Sequence, residues 1–99
     1  MKTIVVRYQV KPGRAEENQR LIEAVFAELE QRKPHGFTYR VFRLDDAVSF
    51  IHVVIEDDIE HPDSLQDVPA FQAFVADIAD RCDNPPVATA ATIVGDYRG

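Results

Sequence analysis

The polar side chain with the most chemical promise in this sequence is His52. It stands in the middle of the run Val48 to Ile55, on the same strand face as Val48, Phe50 and Val54. An imidazole without a partner would be costly to bury there. A buried neutral imidazole can take a proton from a phenol or an activated carbon acid near neutral pH, which makes His52 the candidate catalytic residue. The same histidine kept for structure alone would be tied to a tyrosine or to a backbone carbonyl. Tyr8 and Tyr39 lie in neighbouring strand-like runs, and their hydroxyls could orient a substrate or hold the imidazole while their rings line an aromatic pocket. Phe26, Phe71 and Phe74 from helical segments, with Phe50, would make that pocket apolar and its substrate-binding wall. Their spacing is also what ordinary core packing requires. Arg7 and Arg40 have the opposite parity and belong to the other face or to solvent.

Other chemistries find little support. Asp57, Asp58, Glu60, His61 and Asp63 cluster in one stretch, but they lack the alternation and the glycine of a calcium loop, so no metal is expected. Cys82 closes a helical segment beside Asp80 and Asp83, where a thiolate is disfavoured. There is no glycine-rich phosphate loop, nucleophile elbow or usefully spaced carboxylate pair, which removes kinase, hydrolase and glycosidase readings. The chain carries 17 acidic against 11 basic side chains, a net charge of −6, and its arginines are scattered. Such a surface repels phosphate backbones and anionic lipid, so neither nucleic acid nor membrane is an expected partner. One cysteine cannot form an internal disulfide, and with no leader or membrane span in view the expected location is cytoplasmic.

The elements that would position these residues follow from periodicity. Thr3 to Val10 alternates, with Ile4, Val6, Tyr8 and Val10 on one face, and reads as a half-buried strand. Lys11-Pro12-Gly13-Arg14 ends it. Leu21, Ile22, Val25, Phe26 and Leu29 recur at helical spacing from Ala15 to about Lys33, and Pro34-His35-Gly36 stops that helix. Phe37 to Leu44 and Val48 to Ile55 are strands close enough to form an antiparallel hairpin. The acidic stretch Glu56 to Asp67 is a surface loop. Val68, Phe71, Phe74, Val75, Ile78 and Cys82 mark a second helix, with Asp67 as its N-cap and Pro69 in its first turn. Asn84-Pro85-Pro86 closes the helical region, and Val87 to Val94 reads as the last strand.

Residues 1–99 thus form a single α+β domain of order β-α-β-β-α-β, the ferredoxin-like arrangement with a four-stranded antiparallel sheet. Right-handed crossovers put both helices on one face and make the first and third strands central. The third strand is apolar on both sides, with Ile51, Val53 and Ile55 opposite Val48, Phe50 and Val54. The uncovered face needs a cover, and a second copy of the same sheet is the economical one. A homodimer is therefore expected, the alternative being a different protein bound to that face.

Several phrases are familiar as a set. They are Val10-Lys11-Pro12-Gly13, Tyr39-Arg40-Val41-Phe42-Arg43, Ser49-Phe50-Ile51-His52, Ala70-Phe71-Gln72-Ala73-Phe74 and Val94-Gly95-Asp96-Tyr97-Arg98. Through them the chain resembles the antibiotic-biosynthesis-monooxygenase-like proteins of the dimeric α/β-barrel superfamily, along nearly its whole length. The resemblance implies sheets paired into a barrel and a pocket between sheet and helices in each subunit. It also implies, for some members, oxidation of polycyclic aromatic compounds by molecular oxygen without metal or flavin, and for others haem degradation. The chain has no tryptophan, and Asn18 lies in the first helix rather than on the first strand, so neither characterised residue set can be laid onto it.

The function expected on this basis is a cofactor-independent monooxygenase-type enzyme acting on a small aromatic or phenolic compound. His52 would accept a proton, Tyr8 and Tyr39 would orient the substrate, and oxygen would attack the resulting carbanion. The alternatives are a non-catalytic dimeric module that binds a small ligand, and an isomerase or lactone-forming enzyme on the same fold.

Overall fold

The computed structural model describes residues 2–99. Its strands are β1 (Lys2–Val10), β2 (Phe37–Arg43), β3 (Ser49–Glu56) and β4 (Cys82–Ala91). They form one antiparallel sheet in the order β2-β3-β1-β4, with β1 and β3 central as the crossovers require. Helices α1 (Ala15–Arg32), α2 (Pro69–Ala76) and α3 (Ile78–Arg81) connect them. This is the α+β architecture expected from the alternation of strand and helix periods. The core lies between the sheet and the helices, where Tyr8, Val10 and Phe50 meet Ile22, Val25, Phe71 and Phe74.

The first crossover is local chemistry throughout. Pro12–Arg14 make one 3₁₀ turn into α1, and Glu16 and Glu17 sit in the helix's first turn, where its dipole favours acid. Lys33 ends the helix in the left-handed region, its amide bonded to the carbonyl of Leu29 at 2.8 Å. Asp46 closes the β2–β3 turn by accepting the amides of Val48 and Ser49 at 3.0 and 2.8 Å and the Ser49 hydroxyl at 2.5 Å. Those bonds hold its carboxyl below the usual range.

The second crossover departs from the sequence reading in three ways. The helix expected over Val68 to Cys82 breaks at Asp77 into α2 and the single-turn α3. Asp67 does not cap it: Val68 occupies the N-cap position, and the Ala70 amide donates instead to Oε1 of Glu28, a side chain from α1, at 2.9 Å. Finally, β4 starts at Cys82 rather than Val87 and ends at Ala91 rather than Val94, running straight through Asn84-Pro85-Pro86. The prolines are tolerated because β4 is an edge strand and the register shifts between Arg7 and Val10, where a bulge takes up the missing donors.

The turn leading into β2 is held by a tight contact. Gly36 has φ +98°, and a Cβ there would come within 2.6 Å of the Pro62 Cβ. Around it, the Asp57 amide donates to the Gly36 carbonyl and the Asp63 amide to the His35 carbonyl, binding loop 57–63 to turn 34–36. Gly36→Ala combines a disfavoured backbone conformation with a clash, so it should cost about 1–3 kcal/mol or more. Urea unfolding should show a lower midpoint at unchanged slope.

Candidate functional site

On β3, His52 is the register partner of Val6 on β1 and of Val41 on β2. Tyr8 and Tyr39 lie two residues away from those partners on the same face, in the diagonal positions from which a long side chain reaches across a sheet. Both do so. The Tyr8 hydroxyl is 2.7 Å from Nε2 of His52, and the Tyr39 hydroxyl is 2.7 Å from Nδ1. The sheet register therefore delivers an imidazole clamped at both nitrogens by phenols.

The clamp is enclosed by aromatic rings. Phe74 lies over the imidazole with centroids 5.3 Å apart, and Phe71 meets Tyr39 edge-on at 6.3 Å. Phe26 stacks on Tyr39 at 5.0 Å and Phe50 on Tyr8 at 5.6 Å. Burial pushes the His52 pKa down to about 4 and both tyrosine hydroxyls up. All three groups are neutral at pH 7.

Beside the clamp is a cavity of about 530 Å³ between the sheet and α2, within the range of small-molecule sites. Tyr8, Tyr39 and His52 are its inner polar groups, with Val6, Val54, Phe71 and Phe74 among its apolar walls. Its exposed polar rim includes Asp63, Ser64 and Gln66. Asp63 accepts from the His35 amide at 2.8 Å and pairs with the His35 ring at 2.8 Å, which holds its carboxyl below the usual range.

Of the residues singled out from the sequence, His52, Tyr8, Tyr39, Phe71 and Phe74 come together on this cavity. Phe26 and Phe50 do not line it; they stand one layer back, each stacked behind a tyrosine. The expectation that His52 itself takes a substrate proton also changes. Both its ring nitrogens are occupied by tyrosine hydroxyls, so any exchange with a ligand passes through a tyrosine.

Two further residues, neither expected from the sequence to bond the clamp, extend its hydrogen-bond network. Asn18 is fully buried, and its Nδ2 donates to the Tyr8 hydroxyl at 2.9 Å. Arg81, 1% exposed, donates from Nε to Oδ1 of Asn18 at 3.1 Å and from Nη2 to the Phe74 carbonyl at 2.6 Å, and its guanidinium lies 5.3 Å from the Phe74 ring. The signal was present. Asn18 falls on the apolar stripe of α1 with Ile22, Val25 and Leu29, and Arg81 continues the stripe of Phe71, Phe74 and Ile78. A polar residue on an apolar stripe must be satisfied inside.

No sequence family profile matches the chain, and no curated protein matches it by sequence. Solved structures do match it in shape. A protein of Nitrosomonas europaea provisionally named an antibiotic biosynthesis monooxygenase superposes with a TM-score of 0.77 at 12% identity, over 96% of this chain and 100% of that one. The chain has the fold of these proteins. A Caulobacter crescentus protein with the same provisional name gives 0.68 at 18% identity, over 95% and 90% of the two chains. Rv0793 from Mycobacterium tuberculosis gives 0.74 at 13% identity, over 98% of each. The family resemblance read from the sequence thus agrees with the architecture.

The depressed His52 pKa has a consequence for stability. Between pH 6.5 and about 4 the unfolded chain takes up a proton at His52 that the folded chain does not, so stability falls as pH falls through that window. The loss approaches about 3 kcal/mol at its lower end. Urea midpoints measured from pH 7 to 4 should show this slope, and His52→Gln should lose that part of it.

Proposed function

We propose that this chain is a monooxygenase-type enzyme that oxidises a small aromatic or phenolic compound with molecular oxygen, needing neither metal nor flavin. The observation that carries the reading is a largely apolar cavity that ends on a neutral Tyr8–His52–Tyr39 clamp. A flat ring fits between the sheet and Phe71 and Phe74, with an oxygen substituent directed at the clamp. The apolar walls exclude water from the reacting carbon. No external reductant is required: a ring methylene oxidised to a carbonyl releases four electrons, and oxygen takes them up, placing one atom in the product and the other in water. His52 acts at one remove, holding the Tyr39 hydroxyl that meets the substrate. The provisional names of the structural neighbours support the same reaction class.

The second face of the sheet supports a homodimer. Val5, Ile51, Val53 and Ile55 lie there with no helix over them, Phe42 is 46% and Val87 63% exposed, and the segment after β4 exposes Val94 and Tyr97 almost completely. This apolar stripe, flanked by Arg7 and Arg40, supports an interface, and a second sheet packed on it would complete a barrel. Light scattering should give about twice the 11.2 kDa chain mass. Val53→Glu, which places a charge on that face, should shift the mass to one chain; a wild-type monomer would contradict the dimer. Among the described residues no helix is long and apolar enough to cross a membrane.

The activity is tested by screening quinols and polyphenols with an oxygen electrode. Uptake is expected with at least one of them, and Tyr39→Phe and His52→Ala should each lower turnover on the order of a hundredfold or more while the dimer survives. Turnover without oxygen uptake would replace the oxygenase by an isomerase or lactone-forming enzyme. Saturable binding with no turnover would leave a binding module.

A further inference from the structure

The hydrogen bonds behind the clamp have a direction, and one end of the chain fixes it. A guanidinium can only donate. Because Nε of Arg81 donates to the Asn18 side chain at 3.1 Å, the amide oxygen must face Arg81 and the amide nitrogen must face Tyr8. The Asn18 amide then donates to the Tyr8 oxygen at 2.9 Å, leaving the Tyr8 proton for Nε2 of His52 at 2.7 Å. A neutral imidazole carries one N–H. With Nε2 accepting, the proton resides on Nδ1 and is donated to the Tyr39 oxygen at 2.7 Å. The Tyr39 hydroxyl proton finds no acceptor among the described residues, and Tyr39 lines the cavity.

The opposite tautomer fails at Tyr8. With the proton on Nε2, the Tyr8 oxygen would receive two donors and its own proton would have no acceptor, in a residue only 3% exposed. Unsatisfied buried donors of this kind are rare in folded proteins.

We infer that Arg81 and Asn18 are positioning residues that lock this chain outward, so that Tyr39 offers a proton to the cavity and the ligand is an aromatic ring bound through a single phenolate oxygen. The inference rests on the reading of the cavity as a ligand site. The buried cation supports the anionic form: no carboxylate among the described residues bonds the Arg81 guanidinium, which sits against Phe74, itself a wall of the cavity. Glu17 on α1 feels the same charge without bonding the guanidinium, and a buried cation against the cavity wall favours an anion inside it. One donor suits one oxygen rather than a carboxylate pair. The phenolate is also the electron-rich form that reacts with oxygen, so the lock selects the reactive state of the substrate.

The tautomer and the ligand preference are read separately from turnover. Nitrogen-15 NMR of the intact protein, with His52 assigned by its loss in His52→Gln, should show the proton on Nδ1. Titration with 4-nitrophenol, whose anion absorbs at a different wavelength from the neutral phenol, should show the anion bound at least tenfold more tightly. Asn18→Asp supplies a carboxylate that accepts from Arg81 and from Tyr8, which reverses the chain. In that variant the proton should move to Nε2 and the preference for the anion should disappear. A wild-type imidazole protonated on Nε2, or equal affinity for phenol and phenolate, would overturn the inference without any variant, and so would an unchanged tautomer in a folded Asn18→Asp protein. Neither measurement reads oxygen uptake. A protein that passes both but oxidises no quinol keeps this lock and loses the oxygenase reading.

Discussion

Burying an imidazole in the middle of a sheet is the constraint around which this molecule is arranged. His52 is 4% exposed, and an unpaired ring there would forfeit its bonds to water at both nitrogens. The sheet register meets that cost from both sides at once, with one tyrosine from each strand flanking β3. Each tyrosine is then fixed by a stacked phenylalanine behind it, Phe50 or Phe26. Packing, hydrogen bonding and a low imidazole pKa all follow from a single placement. The same placement leaves a rigid, uncharged polar group at the inner end of an apolar cavity.

The network does not stop at the clamp. Tyr8 must accept a donor, and α1 supplies Asn18 from the middle of its apolar face. Asn18 in turn needs a partner for its oxygen, and the last residue of α3 brings Arg81 to it. This explains the shape of the second crossover. After α2, the break at Asp77 and the single turn of α3 carry Arg81 inward, and the chain must enter β4 immediately afterwards. The arrangement is polar from helix to sheet, yet no buried side-chain nitrogen or oxygen among the described residues lacks a partner.

How much of this the sequence carries depends on how local each signal is. β1, β2, β3 and α1 are legible to within one or two residues, because alternation and helical spacing are properties of consecutive side chains. The second crossover is not. Whether Asn84-Pro85-Pro86 ends an element or runs inside a strand depends on β4 lying at a sheet edge, which is a fact of topology. The end of the second helix depends on Arg81 finding Asn18, a residue 63 positions away. The site divides in the same way. Strand parity is enough to put His52, Tyr8 and Tyr39 on one face. Asn18 and Arg81 interrupt apolar stripes without showing what they bond, and their partners become visible only when helix and sheet are packed. Phe26 and Phe50 share the spacing of Phe71 and Phe74 but differ in depth, which periodicity does not encode.

On the proposed reading, the clamp of Tyr8, His52 and Tyr39 is the polar end of a binding site for an aromatic ring. A crystal structure of the protein soaked with 4-nitrophenol tests it most directly. The ring is expected between the sheet and Phe74, with the phenol oxygen about 2.5–3.0 Å from the Tyr39 hydroxyl. A ring bound on the other face of the sheet, or a cavity that stays empty at saturating phenol, would contradict it.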